Sequence, residues 1–360
     1  MHKNSHIIGL MSGTSLDGVD LAYCQFSSAD SSFESIQYQL LASETIPYPS
    51  EWVKRLSSLE NASAYQYALT DVELGHYFGE IINSFRQRHP GPVDYISSHG
   101  HTIFHQPQIH FTTQIGDGDS IAAETQLPVV YNFRTLDVAL GGQGAPLVPI
   151  GDQLLFSNFQ ACLNLGGFSN ISFNYQGSRL AYDVSPCNMA LNYLARLLNQ
   201  PFDRDGIFAS QGQVNSTLLS QLQSLDYYQK TAPKSLGKEW FVSQVLPLIS
   251  NPEISPIDRL STMTEHIAIQ LANSINNHHI TTLIITGGGA KNSYLMQRLQ
   301  DLAPNTQITI PSNDVIDYKE AIIFALLGYL RVNNKINCLR SVTGAKIDSI
   351  GGNISGAFLM

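Results

Sequence analysis

The sequence predicts a two-domain α/β protein built by internal duplication, and three observations lead there. Each half carries an apolar strand, a Gly-rich turn and a returning strand, at residues 7–24 and again at 161–175. Other strands are followed by helical periodicity, the pattern of an α/β sheet with its loops gathered at one edge. A chain of 360 residues also exceeds one ordinary core, so two domains are expected.

In order, Ile7-Ile8 opens a strand that breaks at Gly9 into the turn Gly13-Thr14-Ser15-Leu16-Asp17-Gly18, and Val19-Asp20-Leu21-Ala22-Tyr23-Cys24 leads out again. Gly13 and Gly18 read as backbone freed for positive φ and for close approach of a ligand. Consecutive N–H groups with the hydroxyls of Ser12, Thr14 and Ser15 suit phosphate oxygens. Asp17 and Asp20 make sense there if Mg²⁺ accompanies the phosphate. The turn is neither a Walker loop nor a dinucleotide fingerprint, because no helix opens after it. An ordinary hairpin loop is the plainer alternative.

Ser35 to Thr45 alternates as a third strand, and residues 50–59 and 72–88 read as helices, the second with Leu74, Phe78, Ile81, Ile82 and Phe85 on one face and stopped by Pro90-Gly91-Pro92. Residues 93–98 are a short buried strand ending in His99-Gly100-His101. A strand at 109–115, a helix near 120–125 and a strand at 129–131 follow. Leu140-Gly141-Gly142-Gln143-Gly144-Ala145-Pro146 reads as the clearest boundary in the chain. Beyond it the pattern restarts, with strands at 161–165, 171–175 and 179–183 around Gly166-Gly167. Helices are expected at 188–198, 214–224, 238–248 and 257–277. The apolar strand Thr282-Leu283-Ile284-Ile285-Thr286 delivers Gly287-Gly288-Gly289-Ala290-Lys291-Asn292 to a helix near Ser293, a junction with room for a base or ribose against backbone. The last long helix reads as 317–332.

Composition narrows the function. Hydrophobic residues make up 43% and charged residues 14%, the profile of a soluble globular protein. No apolar run reaches ~18 residues, and Met1-His2-Lys3-Asn4-Ser5 lacks the features of a signal peptide, so a cytoplasmic protein without a membrane span is expected. The four cysteines form no Cys-x-x-Cys pair, and reduced thiols are expected. A net charge of −9 argues against non-specific nucleic-acid binding and leaves small molecules as ligands.

Five motifs occur in one order: Gly13-Thr14-Ser15-Leu16-Asp17-Gly18-Val19-Asp20, Ser98-His99-Gly100-His101-Thr102, Gly141-Gly142-Gln143-Gly144-Ala145-Pro146-Leu147-Val148-Pro149, Asn164-Leu165-Gly166-Gly167 and Gly287-Gly288-Gly289-Ala290-Lys291-Asn292. Together they resemble the anhydro-N-acetylmuramic acid kinase family, within the actin, sugar-kinase and heat-shock ATPase superfamily, from end to end. The resemblance implies duplicated ribonuclease-H-like cores, an actin-like ATPase fold with a central ATP cleft. Residues 1–139 with 340–360 would form one lobe and 140–339 the other. It implies a cell-wall recycling enzyme that uses ATP, Mg²⁺ and water on 1,6-anhydro-N-acetylmuramic acid, giving N-acetylmuramic acid 6-phosphate and ADP, and it suggests a homodimer. The ATP contacts it implies are the eight residues from Gly13 to Asp20, then Asn164, Gly166, Gly167, Gly287, Gly288, Gly289 and Asn292.

The reaction needs a base for water, and an ordinary Asp pKa near ~4 leaves such a carboxylate ionised at neutral pH. The resemblance places the family's base at Asp183. The alternative, a cap for the helix near Asn188, sits several residues too early. The following Val184-Ser185-Pro186-Cys187-Asn188 departs from the family's Thr-Gly-Pro-Gly-Asn type of turn, which leaves the sugar less defined than the nucleotide. His101 stands where relatives often carry Gln. Sugar contacts are expected from His99, Thr102, Arg134, Asn188 and Glu320. Arg134 would hold the lactyl carboxylate, with a salt bridge to Asp137 as its equal alternative. Glu320 could instead serve the helix dipole from a first turn. His99, His101 and His105 lack further ligands, so no zinc is expected. Cys187 has no basic partner and reads as a packed thiol, and Pro233-Lys234-Ser235-Leu236-Gly237-Lys238-Glu239 matches the family loosely with no chemistry assigned. A kinase of another sugar, and a nucleotide-binding regulatory protein without transfer, are the competing readings. Glycine-elbow serine hydrolysis is rejected for want of the Gly-x-Ser-x-Gly pattern.

Overall fold

A computed structural model describes residues 4–28, 33, 36–232 and 234–356. Met1, His2, Lys3, Ser35 and Pro233, named above, lie outside the described residues. The chain divides into two compact units, Met1–Ser157 with Tyr318–Met360 and Asn158–Asp317.

The first unit contains β1 (Ser5–Ser12), β2 (Gly18–Ser28), β3 (Ile36–Pro47), β4 (Tyr95–Gln106), β5 (Phe111–Ile115), β6 (Val129–Tyr131) and, late in the chain, the strand Asn353–Ser355. Strands β1, β2 and β3 are antiparallel neighbours. On the other side of β1, β4 runs parallel to it and β6 parallel to β4. Successive residues of β1 alternate between faces. Ile7 joins Ala22, Cys24, Phe26 and the buried run Ala321–Leu330 on one side. Ile8 and Leu10 join Leu74, Phe78, Ile82 and Phe85 on the other.

The helix carrying those last four residues spans Ala64–Arg88, eight residues earlier than its periodicity suggests. Ser63 and Gln66 form a capping box that starts it, a signal that was present in the sequence and weaker than the apolar stripe. The last long helix is Asn313–Val332, so Glu320 lies in its second turn rather than its first. The helix-dipole role considered for Glu320 therefore has no basis in the fold.

Segments 140–157 and 318–339, expected in the second lobe, belong to the first unit. The Gly-rich run is a pinned turn, not a linker: the Gly144 N–H donates to Asp137 Oδ2 at 2.7 Å and the Gln143 N–H to the Thr343 carbonyl at 2.8 Å. Beyond it the helix Val148–Leu155 sends Asp152 to Lys319 at 2.7 Å, with both side chains 6% exposed.

The second unit repeats the plan. It contains β7 (Ala161–Leu165), β8 (Phe168–Tyr175), β9 (Ser178–Pro186), β10 (Thr282–Thr286) and β11 (Gln307–Thr309). Strands β7, β8 and β9 are antiparallel neighbours. On the other side of β7, β10 runs parallel to it and β11 parallel to β10. Both units thus order their five central strands 3-2-1-4-5, the ribonuclease-H-like arrangement, and the duplication inferred from two hairpins is visible in the pairing. The core of this unit is built around the helix Pro256–Asn277, started by Pro256 and the Ser255 cap.

Candidate active site

In the first unit, the β1–β2 turn departs from the expected glycine logic. Gly13 and Gly18 have no positive φ, and Leu16 is the left-handed residue. Gly18 is needed because a Cβ there would lie 2.6 Å from the Ile46 carbonyl of β3. Thr14, Ser15 and Asp17 are exposed, so the turn is open to a ligand. Ser12 is not: its hydroxyl is buried and bonded to Tyr48 at 2.7 Å and to His101 Nδ1 at 2.8 Å. The Ser15 hydroxyl donates to Asp17 at 2.7 Å, and Thr45 donates to Asp20 at 2.6 Å. The two carboxylates are thereby oriented.

Arg134 is the centre of a second group. Its Nε donates to His99 Nε2 at 2.9 Å, and Nη1 donates to the Gly144 carbonyl at 2.7 Å. Its guanidinium carbon stands 5.8 Å from the Phe324 ring centroid. Asp137 instead accepts from Gly144, Thr343 and Cys338, so the Arg134–Asp137 bridge does not form. Because Arg134 can only donate, His99 accepts at Nε2 and carries its proton on Nδ1, which faces the Gly100 carbonyl at 2.9 Å. Burial, then the Arg134 charge, hold the His99 pKa well below its ordinary value. Both ring nitrogens are engaged, and the visible work of His99 is to aim the guanidinium. Glu320 is exposed at its surface, yet the protein around it raises its pKa, against the lowering pull of Arg134. Burial lowers His101 to about 4, which leaves it a neutral ring. Thr102 accepts from Gln114 at 3.3 Å. Among the described residues no group of three or more His, Cys, Asp or Glu could hold a metal ion.

In the second unit, three separate motifs converge. The β7–β8 turn at Gly166-Gly167 is held by the start of the helix Asn188–Arg196: the Asn188 N–H donates to the Gly166 carbonyl at 3.1 Å, and Asn188 Nδ2 donates to the Leu165 carbonyl at 2.9 Å. Gly287 has φ +82 and passes so close to Leu165 and Asn164 that a Cβ would lie 2.7 Å from Asn164 Oδ1. A Cβ on Gly289 would lie 2.7 Å from the Leu165 Cβ and 3.1 Å from Asn188 Oδ1. Asn164, Gly166, Gly167, Asn188 and Gly287 to Gly289 therefore form one cluster within the second unit. Asn292 is buried and caps the helix Ser293–Leu302 by accepting from Leu295 at 3.0 Å, so it shapes this junction from within. Next to it opens a pocket of about 420 Å³ between Ala290, Ser293, Met296, Gln297, Gln300, Ile308 and Ile310. The amides of Gln297 and Gln300 are already donated to neighbours, which leaves mainly apolar walls.

Asp183 lies inside β9 rather than at its end, since the strand continues to Pro186 through residues expected to turn. Pairing with β8 shifts between Asn170, opposite Asp183, and Ser169, opposite Ser185. Val184 is the extra residue of that bulge, a device that re-aims the neighbouring side chain. The Leu236 N–H donates to Asp183 Oδ2 at 2.8 Å. Burial raises the Asp183 pKa above the ordinary carboxylate value expected for it, and the Leu236 bond opposes that rise. Cys187 is fully buried and pushed up to about 12, a packed thiol. All four cysteines are free and buried.

Comparison with known proteins adds three findings. The family model described as anhydro-N-acetylmuramic acid kinase matches residues 5–357. The chain is 36% identical over 368 residues to the anhydro-N-acetylmuramic acid kinase of Sulfurovum sp. (strain NBC37-1), covering 98% of this chain and 99% of that one. It is 37% identical over 362 residues to the protein of the same name from Pasteurella multocida (strain Pm70), covering 95% and 94%.

Proposed function

The chain belongs to the anhydro-N-acetylmuramic acid kinase family, and from that premise we propose that it is an ATP-dependent kinase of 1,6-anhydro-N-acetylmuramic acid in peptidoglycan recycling. Water adds to the anomeric carbon and the 1,6-anhydro bridge opens. The freed six-oxygen takes the γ-phosphoryl group, and N-acetylmuramic acid 6-phosphate and ADP are released. The observation that carries this reading is a family match over nearly the whole chain combined with a bulge-aimed carboxylate at Asp183, the group that accepts the proton of the attacking water.

The turn from Gly13 to Asp20 and the cluster of Asn164, Gly166, Gly167 and Gly287 to Gly289 are proposed for the nucleotide. Backbone N–H groups in such turns suit phosphate oxygens. Mg²⁺, carried in with ATP, would neutralise charge on the transferring phosphoryl group, and Asp17 and Asp20 would hold it or its waters. An enzyme fed by ATP works in the cytoplasm. Among the described residues no helix is long and apolar enough to cross a membrane.

Arg134 is proposed to hold the lactyl carboxylate of the sugar. With Nε and Nη1 engaged, Nη2 has no protein partner among the described residues, and it is fixed in direction by the other two bonds. Arg134→Lys puts a single point charge where a planar fork served three acceptors. The KM for the sugar is expected to rise on the order of tenfold to a hundredfold, the worth of one charge-assisted hydrogen bond, with the KM for ATP unchanged. Steady-state kinetics on both substrates check this, and an unchanged sugar KM removes Arg134 from the site.

The test of the function is ADP release with Mg²⁺·ATP, with and without 1,6-anhydro-N-acetylmuramic acid, and mass analysis of the sugar product. Sugar-stimulated turnover giving a sugar heavier by one water and one phosphoryl group is the expected result. ATP binding without stimulation by this sugar would move the substrate to another amino sugar.

A further inference from the structure

Tyr227, Lys234 and Leu236 carry no role in the reading above, yet they hydrogen-bond Asp183 at three of its atoms. The Asp183 N–H donates to the Lys234 carbonyl at 3.2 Å, and the Leu236 N–H returns to Asp183 Oδ2 at 2.8 Å. The Tyr227 hydroxyl donates to the Asp183 carbonyl at 2.6 Å. Lys234 closes the segment on itself, its Nζ donating to the Tyr227 carbonyl at 3.3 Å and standing 4.7 Å from the Tyr227 ring centroid. A bulged strand gives up ladder bonds just where Asp183 sits, and these three bonds replace that restraint from outside the sheet.

We propose that Tyr227 and the segment Lys234 to Leu236 are the positioning element of Asp183, fixing carboxylate oxygen Oδ2 so that Oδ1 is the oxygen that takes the proton from water. This rests on the reading of Asp183 as the base. Oδ1 accepts no hydrogen bond among the described residues, so its lone pairs are free for the incoming water. The O–H bond of that water breaks, its proton goes to Oδ1 and its oxygen bonds to the anomeric carbon. The bond from that carbon to the bridging oxygen breaks, and its electron pair stays on the six-oxygen. That oxygen then bonds to the γ-phosphorus as the bond to the β,γ-bridging oxygen of ATP breaks. A carboxylate rotating freely would present either oxygen at the wrong angle, and misplacement by about 1 Å costs on the order of a hundredfold in rate.

Among the described residues, the titratable and charged groups beside Asp183 come from the segment and from β9. Tyr227 and Lys234 come from the segment itself, and Tyr182 is its neighbour on β9. Asn170 opposite it on β8 is neutral, and from the helix Pro256–Asn277 His266 meets Tyr228, not Asp183. Burial keeps the Tyr227 phenol protonated through the working range and His266 neutral, at about 3.

Leu236→Pro deletes the N–H on Oδ2, whereas Leu236→Ala keeps it. In sugar-dependent ADP release, Leu236→Pro is expected to lower kcat about tenfold or more, following the misplacement argument, and to leave the KM for ATP unchanged. Its acid limb of kcat is expected to move to higher pH, because the lost bond was holding the carboxylate pKa down; Leu236→Ala keeps the wild-type limb. Tyr227→Phe deletes the hydroxyl on the Asp183 carbonyl and is expected to lower kcat severalfold at unchanged KM for both substrates. A wild-type kcat and acid limb in Leu236→Pro would overturn the proposal. Should that variant fail to fold, a wild-type kcat in Tyr227→Phe overturns it instead. Asp183→Asn, run in parallel, separates the two levels. If it is inactive while the positioning variants behave as wild type, only the positioning role fails. If it keeps sugar-dependent turnover, the base assignment fails and takes this inference with it.

Discussion

Asp183→Asn is expected to abolish sugar-dependent ADP release while the protein stays folded and keeps its affinity for ATP. A positioned general base contributes on the order of a hundredfold to ten-thousandfold, and an amide cannot accept the proton. The fold survives because an Asn side-chain oxygen can still accept from the Leu236 N–H. Thermal stability is expected to be equal or higher. The reason is the direction of the Asp183 shift: burial raises its pKa in the folded state, so at neutral pH the ionised carboxylate is a net cost to folding. That cost is absent below the unfolded-state pKa and fully present above the raised folded one, and Asn removes it. The same shift has a kinetic consequence. Activity requires the ionised form, so kcat falls as pH drops through a value above the ordinary carboxylate range. A pH–rate profile on the wild type and thermal melts on both proteins check these statements. Residual sugar-dependent turnover above about a tenth of wild type, against the hundredfold a general base supplies, would show that another group takes the proton.

The second large effect falls on stability. Gly9→Ala places a methyl against the Ala321 carbonyl oxygen and 2.9 Å from the Ala325 Cβ, both on the helix Asn313–Val332. The nearest obstacle is backbone, which cannot rotate away. Overpacking commonly costs about 1–3 kcal/mol and more where nothing yields, so a loss of ~3 kcal/mol or above is expected here. For a unit of this size that is a fall in Tm of roughly 10 °C, with unfolding beginning in the first unit. Differential scanning calorimetry tests it, and a Tm within about 2 °C of wild type, under 1 kcal/mol on the same scale, would mean the helix can shift. Gly13 is the contrast. A Cβ there meets only Ser15 Oγ, at 3.5 Å, so its absence of a side chain is not a packing demand.

Gly9 and Gly13 show what a local reading can and cannot sort. Both glycines stand in the first hairpin, but Gly9, read as the break that ends its first strand, lies in the middle of β1, which runs on to Ser12. Which one packs against a helix more than three hundred residues away, and which one faces solvent, was not written in that stretch. The same holds at the site. Asp183, Arg134 and the Gly-rich turns were singled out by motif order and the family resemblance it carries. His99 was expected at the sugar, and the fold instead bonds both its ring nitrogens so that it aims Arg134. Ser12 was expected at the phosphate, and the fold turns its hydroxyl inward to Tyr48 and His101. Leu236, an ordinary apolar residue in a stretch that matched the family only loosely, was assigned no chemistry, because what it contributes to Asp183 is a backbone N–H.

Local alternation of apolar and polar residues, glycines at tight turns and cap residues act over a few positions. They were enough to specify the two hairpins, the strand Thr282–Thr286 before its three glycines, and hence a duplicated α/β plan. The unit boundary, the β9 bulge, the neutral state of His99 and the raised pKa of Asp183 depend on partners tens to hundreds of residues distant. Hydrogen bonds and desolvation are set by which surfaces pack together, and that information exists only once the sheets and helices have closed on one another.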